Sequence, residues 1–497
     1  MPMYKKIFTG SLLSSVFNLA LALSLSLNVQ AAELKEITPP PQANIVFIML
    51  DDWGWQDAAY MGSSYYLTPN IDELAKTSYR FNQAYSASPN CAPTRAAFMS
   101  GQYSQHTGIF TVKSAARGKV QQRRLVPITN KTVLAGSVIT LAESMKNSGY
   151  ETAFIGKWHL GAGDEGGPLV QGFDVNIAGN HTGTPKSYFS PFKNPTIKDG
   201  PTGEYLPDRL SKEAADYINA DHDKPFFLFL SHYAVHTPMK APQATINKHK
   251  NRQGNKYQNN PIYAAMIEHS DNSVANVLKA LEEKGIADNT WVILTSDNGG
   301  HQGVTQAPDL RGAKGMFYEG GLRVPLLIKA PKQQKQVVIE EPVSTLDFYP
   351  TLLAIAQGRL PSKQILDGKN LLPLLADEPF QREAIYFHFP GYLESGKHNK
   401  KLWRNTPSSM IRMGDYKLIE YFEYGQLELY NLVHDLKERQ NLALIEPEVT
   451  AKLYKKLKAW RKSTNAPVPT VLNPEFNKSY QLTRDTYVTW PQLQQKL

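Results

Sequence analysis

The chain predicts an α/β fold: a large mixed, mostly parallel sheet sandwiched by helices, followed by a smaller C-terminal subdomain with an antiparallel sheet and a packed helix. Three features lead there. Apolar runs of strand length recur through the first three hundred residues, each ending abruptly in polar side chains. Helical segments fall between them. After about residue 375 the pattern changes to closely spaced short strands and one last helix. Unbroken apolar runs suit strands buried on both faces, as in a parallel sheet covered by helices.

In chain order, Asn44 to Leu50 (NIVFIML) ends in Asp51-Asp52, and Thr152 to Ile155 ends in Gly156-Lys157-Trp158-His159. Phe226 to Leu230 ends in Ser231-His232 and then His236, and Trp291 to Thr295 ends in Ser296-Asp297-Asn298. The intervening helices are expected over Ile71 to Tyr79, Leu141 to Asn147, Leu210 to Ala220, and Tyr263 to Lys284, where Gly285 is a stop signal. Ligands of open α/β sheets bind beyond the carboxyl ends of the strands, so these four endings point to one composite site. Met410 to Glu420, Glu423 to Leu432 and a helix from Pro447 to Lys462 form the expected second unit. The organisation is therefore a catalytic domain over 40–375 and a C-terminal subdomain over 376–497.

Residues 1–31 stand apart. Lys5 and Lys6 precede a Leu-, Ala- and Ser-rich run that closes on Val29-Gln30-Ala31, the small-residue spacing of a signal-peptide cleavage site. The run is shorter and more polar than the roughly 20 apolar residues a membrane span needs, so export to the periplasm or beyond is expected, without stable membrane insertion. Losing two lysines and no acid lowers the formal charge from +9 to +7. A basic protein attracts polyanions. No nucleic-acid motif accompanies the charge, and the longest basic stretch, Lys397 to Arg404, is one short segment, so an extracellular polyanion such as a sulfated glycan fits better than nucleic acid. The chain holds a single cysteine, Cys91, which can form no internal disulfide.

Pro93 favours the first turn of a helix, and Gly101 would end it, which puts Cys91 at a helix entrance where free N–H groups favour an anion. Arg95 lies one turn in. Asp51, Asp52, Asp297 and Asn298 offer only oxygen ligands, suited to a hard cation, Ca²⁺ or Mg²⁺. No HExxH or paired Cys/His spacing points to zinc.

Cys91-Ala92-Pro93-Thr94-Arg95, extended by Ser100-Gly101-Gln102-Tyr103, resembles the signature of the type I sulfatases of the alkaline phosphatase superfamily. Further segments are similar to that family's in order and spacing: Asp51-Asp52-Trp53-Gly54, Gly156-Lys157-Trp158-His159-Leu160-Gly161, Ser296-Asp297-Asn298-Gly299-Gly300, and Gly312-Ala313-Lys314-Gly315 with Tyr318-Glu319-Gly320-Gly321 and Arg323-Val324-Pro325. Gly414 to Leu418 and Glu428 to Leu432 extend the likeness nearly to the end of the chain. The resemblance implies an alkaline-phosphatase-like fold and a nucleophile made by oxidising Cys91 to formylglycine, installed by a formylglycine-generating enzyme. It also implies Ca²⁺ in preference to Mg²⁺, held by Asp51, Asp52, Asp297, Asn298 and the modified residue 91. Lys157 and Lys314 would clamp sulfate, Arg95 hold the nucleophile and His159 assist release, while His236 is the expected general acid, with His232 as its rival.

Two other readings remain open on sequence. One is a phosphodiesterase or phosphonate monoester hydrolase of the same superfamily; the other is a non-catalytic binder of sulfated polymers. For a sulfatase, export and a basic, aromatic-rich surface suit a sulfated carbohydrate, such as carrageenan or its oligosaccharides. His181, His301, Arg311, His388, Trp403 and Arg404, with Tyr392 and His398, are the candidate sugar contacts.

Overall fold

The first strand, β1 (Asn44–Leu50), is buried along its whole length, and its alternation sets up two cores. Val46, Ile48 and Leu50 enter one, and Ile45, Phe47 and Met49 the other. The computed structural model describes residues 42–394, 403–480 and 488–497. The expected signal peptide, His398 and most of the basic stretch from Lys397 lie outside these.

The remaining strands of the main sheet are β2 (Tyr79–Phe81), β3 (Glu151–Gly156), β4 (Val175–Ile177), β5 (Phe226–Ser231), β6 (Thr290–Ser296), β7 (Leu326–Lys329) and β8 (Val337–Ile339). Their spatial order is β4-β3-β5-β1-β6-β7-β2-β8. All pairs from β4 to β6 are parallel, and β7 runs antiparallel to both its neighbours. The sheet is thus mixed and mostly parallel, as expected. The four strands whose endings carry polar residues are contiguous at its centre.

Helices cover both faces. α4 (Leu206–Asn219) and α5 (Pro261–Glu283) pack on one side through Leu210, Ile218, Tyr263, Ile267 and Val274. On the other side lie α2 (Cys91–Ser100), α3 (Leu141–Asn147) and α6 (Phe348–Ile355). Phe98 of α2 meets Phe47 of β1 with ring centroids 4.5 Å apart and Phe229 of β5 at 4.9 Å, and Phe348 of α6 closes on Phe47 at 4.9 Å. Such a buried ring is worth about 3–5 kcal/mol against alanine. It fixes the helix that begins at Cys91 against the centre of the sheet.

α1 (Pro69–Lys76) is shorter than expected. Thr77 and Ser78 turn their hydroxyls back onto the Leu74 carbonyl, a local alternative to continuing the helix, and Tyr79 opens β2. α4 begins four residues before its expected start, with Pro207 in the first turn where its missing N–H costs nothing.

Beyond Ile385 an antiparallel sheet forms from β9 (Ile385–Phe389), β10 (Ser408–Met413), β11 (Tyr416–Tyr421) and β12 (Gln426–Asn431), in that order. Met410 to Glu420, expected as part of this sheet, holds two strands split by a tight turn at Gly414, whose φ of 56° suits glycine. α7 (Pro447–Ser463) packs on this sheet through Leu453, Leu457 and Trp460. Residues of the first region share these cores: Ala97 and Tyr103 beneath α7, and Tyr85, Phe110, Phe317 and Leu322 on the other face. No helix of the described residues is long and apolar enough to cross a membrane.

Candidate active site

The register of the parallel strands brings their ends to one level: Leu50 pairs with Ser296, Met49 with Ser231, and Gly156 with Ser231. The residues that follow therefore converge. Asp52 leaves β1 with φ 61°, which turns its carboxylate across the sheet edge toward β6. Its N–H donates to Asp297 Oδ1 at 3.2 Å, and Asn298 Nδ2 donates to Asp52 Oδ1 at 2.8 Å.

Cys91 opens α2 itself, two residues earlier than Pro93 suggested. Asn90 is the cap: its backbone is extended and its Oδ1 accepts from the Cys91 N–H at 3.2 Å. Pro93 then occupies the first turn, where the amide has no helical partner. At the far end Gly101, with φ 67°, returns its N–H to the Ala97 carbonyl. Cys91 is 1% exposed, and Lys314 Nζ donates to its Sγ at 3.1 Å.

Three buried ion pairs organise the floor. Lys157 Nζ lies 2.6 Å from Asp51 Oδ2, Lys314 Nζ binds Asp52 Oδ1, and the Arg95 guanidinium meets Asp297 Oδ2 at 2.8 and 3.0 Å. Arg95 also donates to the Lys157 carbonyl at 2.7 Å, so the second turn of α2 is tied to the end of β3. Burial pushes the Cys91 thiol up, but Lys157 and Lys314 outweigh it and bring it down to about 6. Burial also drives the Asp51 carboxyl up to about 8 despite Lys157. At Asp52 burial is overcome by Lys314, which holds the carboxyl well below its usual range.

These pairs leave oxygens unused. Asp51 Oδ1, Asp52 Oδ2 and Asn298 Oδ1 are buried and have no hydrogen-bond partner among the described residues. Orphaned buried oxygens are costly unless something positive satisfies them. Ligand atoms of Asp51, Asp52, Cys91 and His236 all lie within 4.8 Å of one another. A hard divalent cation fits this donor set, and it would relieve the cost of ionising Asp51.

The floor opens into a cavity of about 450 Å³ lined by Cys91, His159, His236, His301, Lys314 and Arg404, among others. His159 has φ 69°, and its ring sits where any side chain at Gly183 would collide, since a Cβ there would fall 2.3 Å from the imidazole. Burial holds its imidazole well below the usual range, and Nδ1 has no partner among the described residues. His236 places Nδ1 2.6 Å from the Thr237 carbonyl, which fixes the proton there and leaves Nε2 facing Asp52 Oδ2 at 3.7 Å.

His232 does not reach the cavity. It faces the opposite layer, with Nε2 2.8 Å from Ser273 Oγ of α5, and burial keeps it neutral, down to about 4. Several expected sugar contacts are also elsewhere. His388 is 5% exposed inside the second sheet, bonded to Ser409 Oγ and the Pro467 carbonyl. Arg311 stacks 3.8 Å over Tyr318 and donates to Tyr430 Oη and the Glu438 carbonyl. His181 lines a separate cavity of about 490 Å³ beside Leu169, Phe192 and Leu206. Trp403 packs against the buried Tyr392, and neither residue is among those that line the cavity. Of the sugar candidates, His301 and Arg404 do line it. The cavity also takes in Lys113, Arg117 and Thr184, which carry no motif, and Asn90, whose preference for helix caps was a readable signal.

A doubly covered, mostly parallel sheet whose carboxyl edge gathers buried carboxylates, lysines and a capped helix start is alkaline-phosphatase-like. The Sulfatase family model matches residues 43–358, and that for the C-terminal part of N-sulphoglucosamine sulphohydrolase matches 313–463. A sulfatase from Formosa agariphila is 34% identical, over 85% of this chain and 89% of its own. Human N-acetylgalactosamine-6-sulfatase is 30% identical, covering 82% and 79%. The crystal structure of Ps i-CgsB in complex with k-i-k-neocarrahexaose superimposes with a TM-score of 0.71 at 28% identity, over 89% of this chain and all of that one. The chain belongs to the sulfatase family, and its activity is sulfuric ester hydrolysis.

Proposed function

We propose that this protein is an exported sulfatase that removes sulfate from a sulfated carbohydrate, of the kind found in algal polysaccharides such as carrageenan or in their oligosaccharides. Its nucleophile would be formylglycine made from Cys91, and its metal Ca²⁺. The observation that carries the reading is the floor of the site: a capped helix start at Cys91, an ammonium 3.1 Å away, and three orphaned oxygens beside it. The named ligand of the Ps i-CgsB complex supports a carbohydrate substrate. In this reading residues 1–31 are removed near Ala31, residues 40–375 carry the chemistry, and 376–497 form a subdomain that adds Leu393 and Arg404 to the cavity.

Asp51, Asp52, Asn298 and Asp297 would hold the cation, which supplies Lewis acidity to the sulfate and to the nucleophile. Formylglycine at position 91 would supply, as its hydrate, one hydroxyl as the nucleophile toward sulfur and a second through which sulfate is released. The chain's own groups do the rest. Lys314 and Lys157 hold negative charge on the sulfate oxygens within a buried, low-dielectric floor. Arg95 locks α2 to β3 and so holds residue 91 in line. His236, whose Nδ1–H is held by the Thr237 carbonyl, would carry a second proton on Nε2 and give that one to the leaving alcohol. His159, neutral and unpartnered at Nδ1, is placed to take the proton whose loss releases sulfate.

The test is co-expression with a formylglycine-generating enzyme, mass spectrometry of the Cys91 peptide, and turnover of an aryl sulfate, an aryl phosphate and an aryl phosphonate. The expected result is a peptide lighter than the thiol form and preference for the sulfate. An intact thiol in fully active protein, or preference for the phosphonate, sinks the reading. Cys91→Ala should fold and bind sulfated sugars without turning them over.

A further inference from the structure

The wall of the cavity opposite the ion-paired floor carries more positive charge than one sulfate needs. It is built from two segments clamped together. Residues 112–117 form one, and the other is the two-stranded ribbon in which Leu393–Glu394 pairs with Trp403–Asn405. Tyr392 N–H donates to the Ala115 carbonyl at 2.8 Å, and the Trp403 ring fills the space where a Cβ at Gly118 would fall 2.5 Å from it. Arg117 grips Glu394 through both carboxylate oxygens, at 2.8 to 3.1 Å. That pair spends the Glu394 carboxylate on Arg117.

Arg404 is left over. Its stem lies over Gly315, where a Cβ would come 3.2 Å from Arg404 Cδ, and the residue lines the same cavity as Cys91 and Lys314. Its Nε is buried with no acceptor among the described residues. Lys113 joins it on the wall, and no Asp or Glu is among the described residues that line the cavity. A buried guanidinium N–H without an acceptor costs free energy that binding to an oxyanion recovers.

We propose that Arg404, assisted by Lys113, forms a subsite for a second anionic group on the substrate, a further sulfate or a uronate carboxylate close to the sulfate that is cleaved. The preferred substrates are then sugars bearing two anions. This rests on the sulfatase reading for the identity of the first anion.

Binding on the Cys91→Ala protein isolates the subsite from turnover. Calorimetry compares galactose 4-sulfate and 6-sulfate with galactose 4,6-disulfate, and N-acetylgalactosamine 6-sulfate with the same sugar linked to a hexuronate. At least one two-anion sugar should bind about tenfold more tightly than its one-anion partner, the scale of a charge-assisted contact. The disulfate or the uronate arm identifies the second group. Arg404→Gln should bring that ratio to within about twofold of unity. If Arg404→Gln does not fold, Arg404→Lys carries the comparison, with a ratio lowered at least threefold because the fork geometry is lost. Equal binding of all pairs, or a ratio that survives substitution, overturns the subsite. Phosphonate preference by the formylglycine-bearing enzyme would instead overturn the sulfatase reading, and the binding ratio still decides the subsite.

Discussion

Lys314→Met is the sharpest perturbation of the floor. The Lys314 ammonium lies 3.1 Å from Cys91 Sγ, and at an effective dielectric of 20 a full negative charge there would gain about 5 kcal/mol from it. A sulfate ester is already anionic in the ground state, so only the charge that builds up in the transition state counts. Taking roughly half gives about 2.5 kcal/mol, or a loss near 10²-fold in kcat/KM. Abandoning Asp52 in a buried site adds to this, so the expected range is about 10² to 10³. The assay is steady-state hydrolysis of an aryl sulfate, with formylglycine content matched by mass spectrometry and folding checked by thermal melting. Activity within about fivefold of the parent, at matched modification, would refute the role given to Lys314.

Three further outcomes follow from the geometry. Stripping the protein with a chelator and adding Ca²⁺ back should raise Tm, since binding at a hundredfold excess over Kd stabilises by about 2.7 kcal/mol; Asn298→Ala should blunt that rise, and a Tm indifferent to Ca²⁺ would count against the site. Glu438, buried with Lys417 and Glu319, is pushed by burial up to about 7 in spite of Lys417. Its folded value exceeds the unfolded one, so its contribution is fullest below pH 4.5 and is lost as pH rises through 7. The stability gap between the parent and Glu438→Gln should therefore shrink by up to about 3 kcal/mol across that window in denaturant titrations, and a gap that widens would reverse the sign. In Gly156→Ala the new Cβ would fall 1.8 Å from the Ser231 carbonyl oxygen at a φ of 114°. That backbone has no room to yield, so a loss of at least about 3 kcal/mol and of activity is expected, and a parental Tm would contradict it.

Much of the central sheet was legible because its strands are buried on both faces and read as unbroken apolar runs; β1 spans the expected Asn44 to Leu50 without change. The floor was legible for the same reason, since polar residues that follow such runs must emerge together at one edge. What pattern alone left open was which way each side chain turns. Ser231 ends β5 and His232 follows it, yet Ser231 accepts from Arg95 while His232 turns to Ser273 in the opposite layer. Alternation separates neighbours, and only the strand's register decides which one faces the crevice. His388 was misjudged in the same way, because its loop-like composition hid a strand residue pointing inward. Arg117 and Lys113 carried no local signal, since their place on the wall depends on a ribbon some 280 residues further on.

The charges of the floor explain why the wall matters. Lys314 with Asp52 and Arg95 with Asp297 cancel pair by pair, and Lys157 sits beside an Asp51 carboxyl that burial pushes up to about 8, so the floor's own charge is small beside that of the cation it would hold. Its pull on an anion is short-range and geometric: fixed donors aimed at one group. Beyond that cation, attraction for a second anion must come from cationic groups outside these pairs, and among the described residues that line the cavity these are Arg404 and Lys113. Raising the salt concentration should therefore weaken capture of a two-anion sugar far more than that of a one-anion sugar, because the wall is exposed to screening and the floor is not. Capture that loses equal factors for both between about 0.05 and 0.5 M salt would place the attraction in the floor after all.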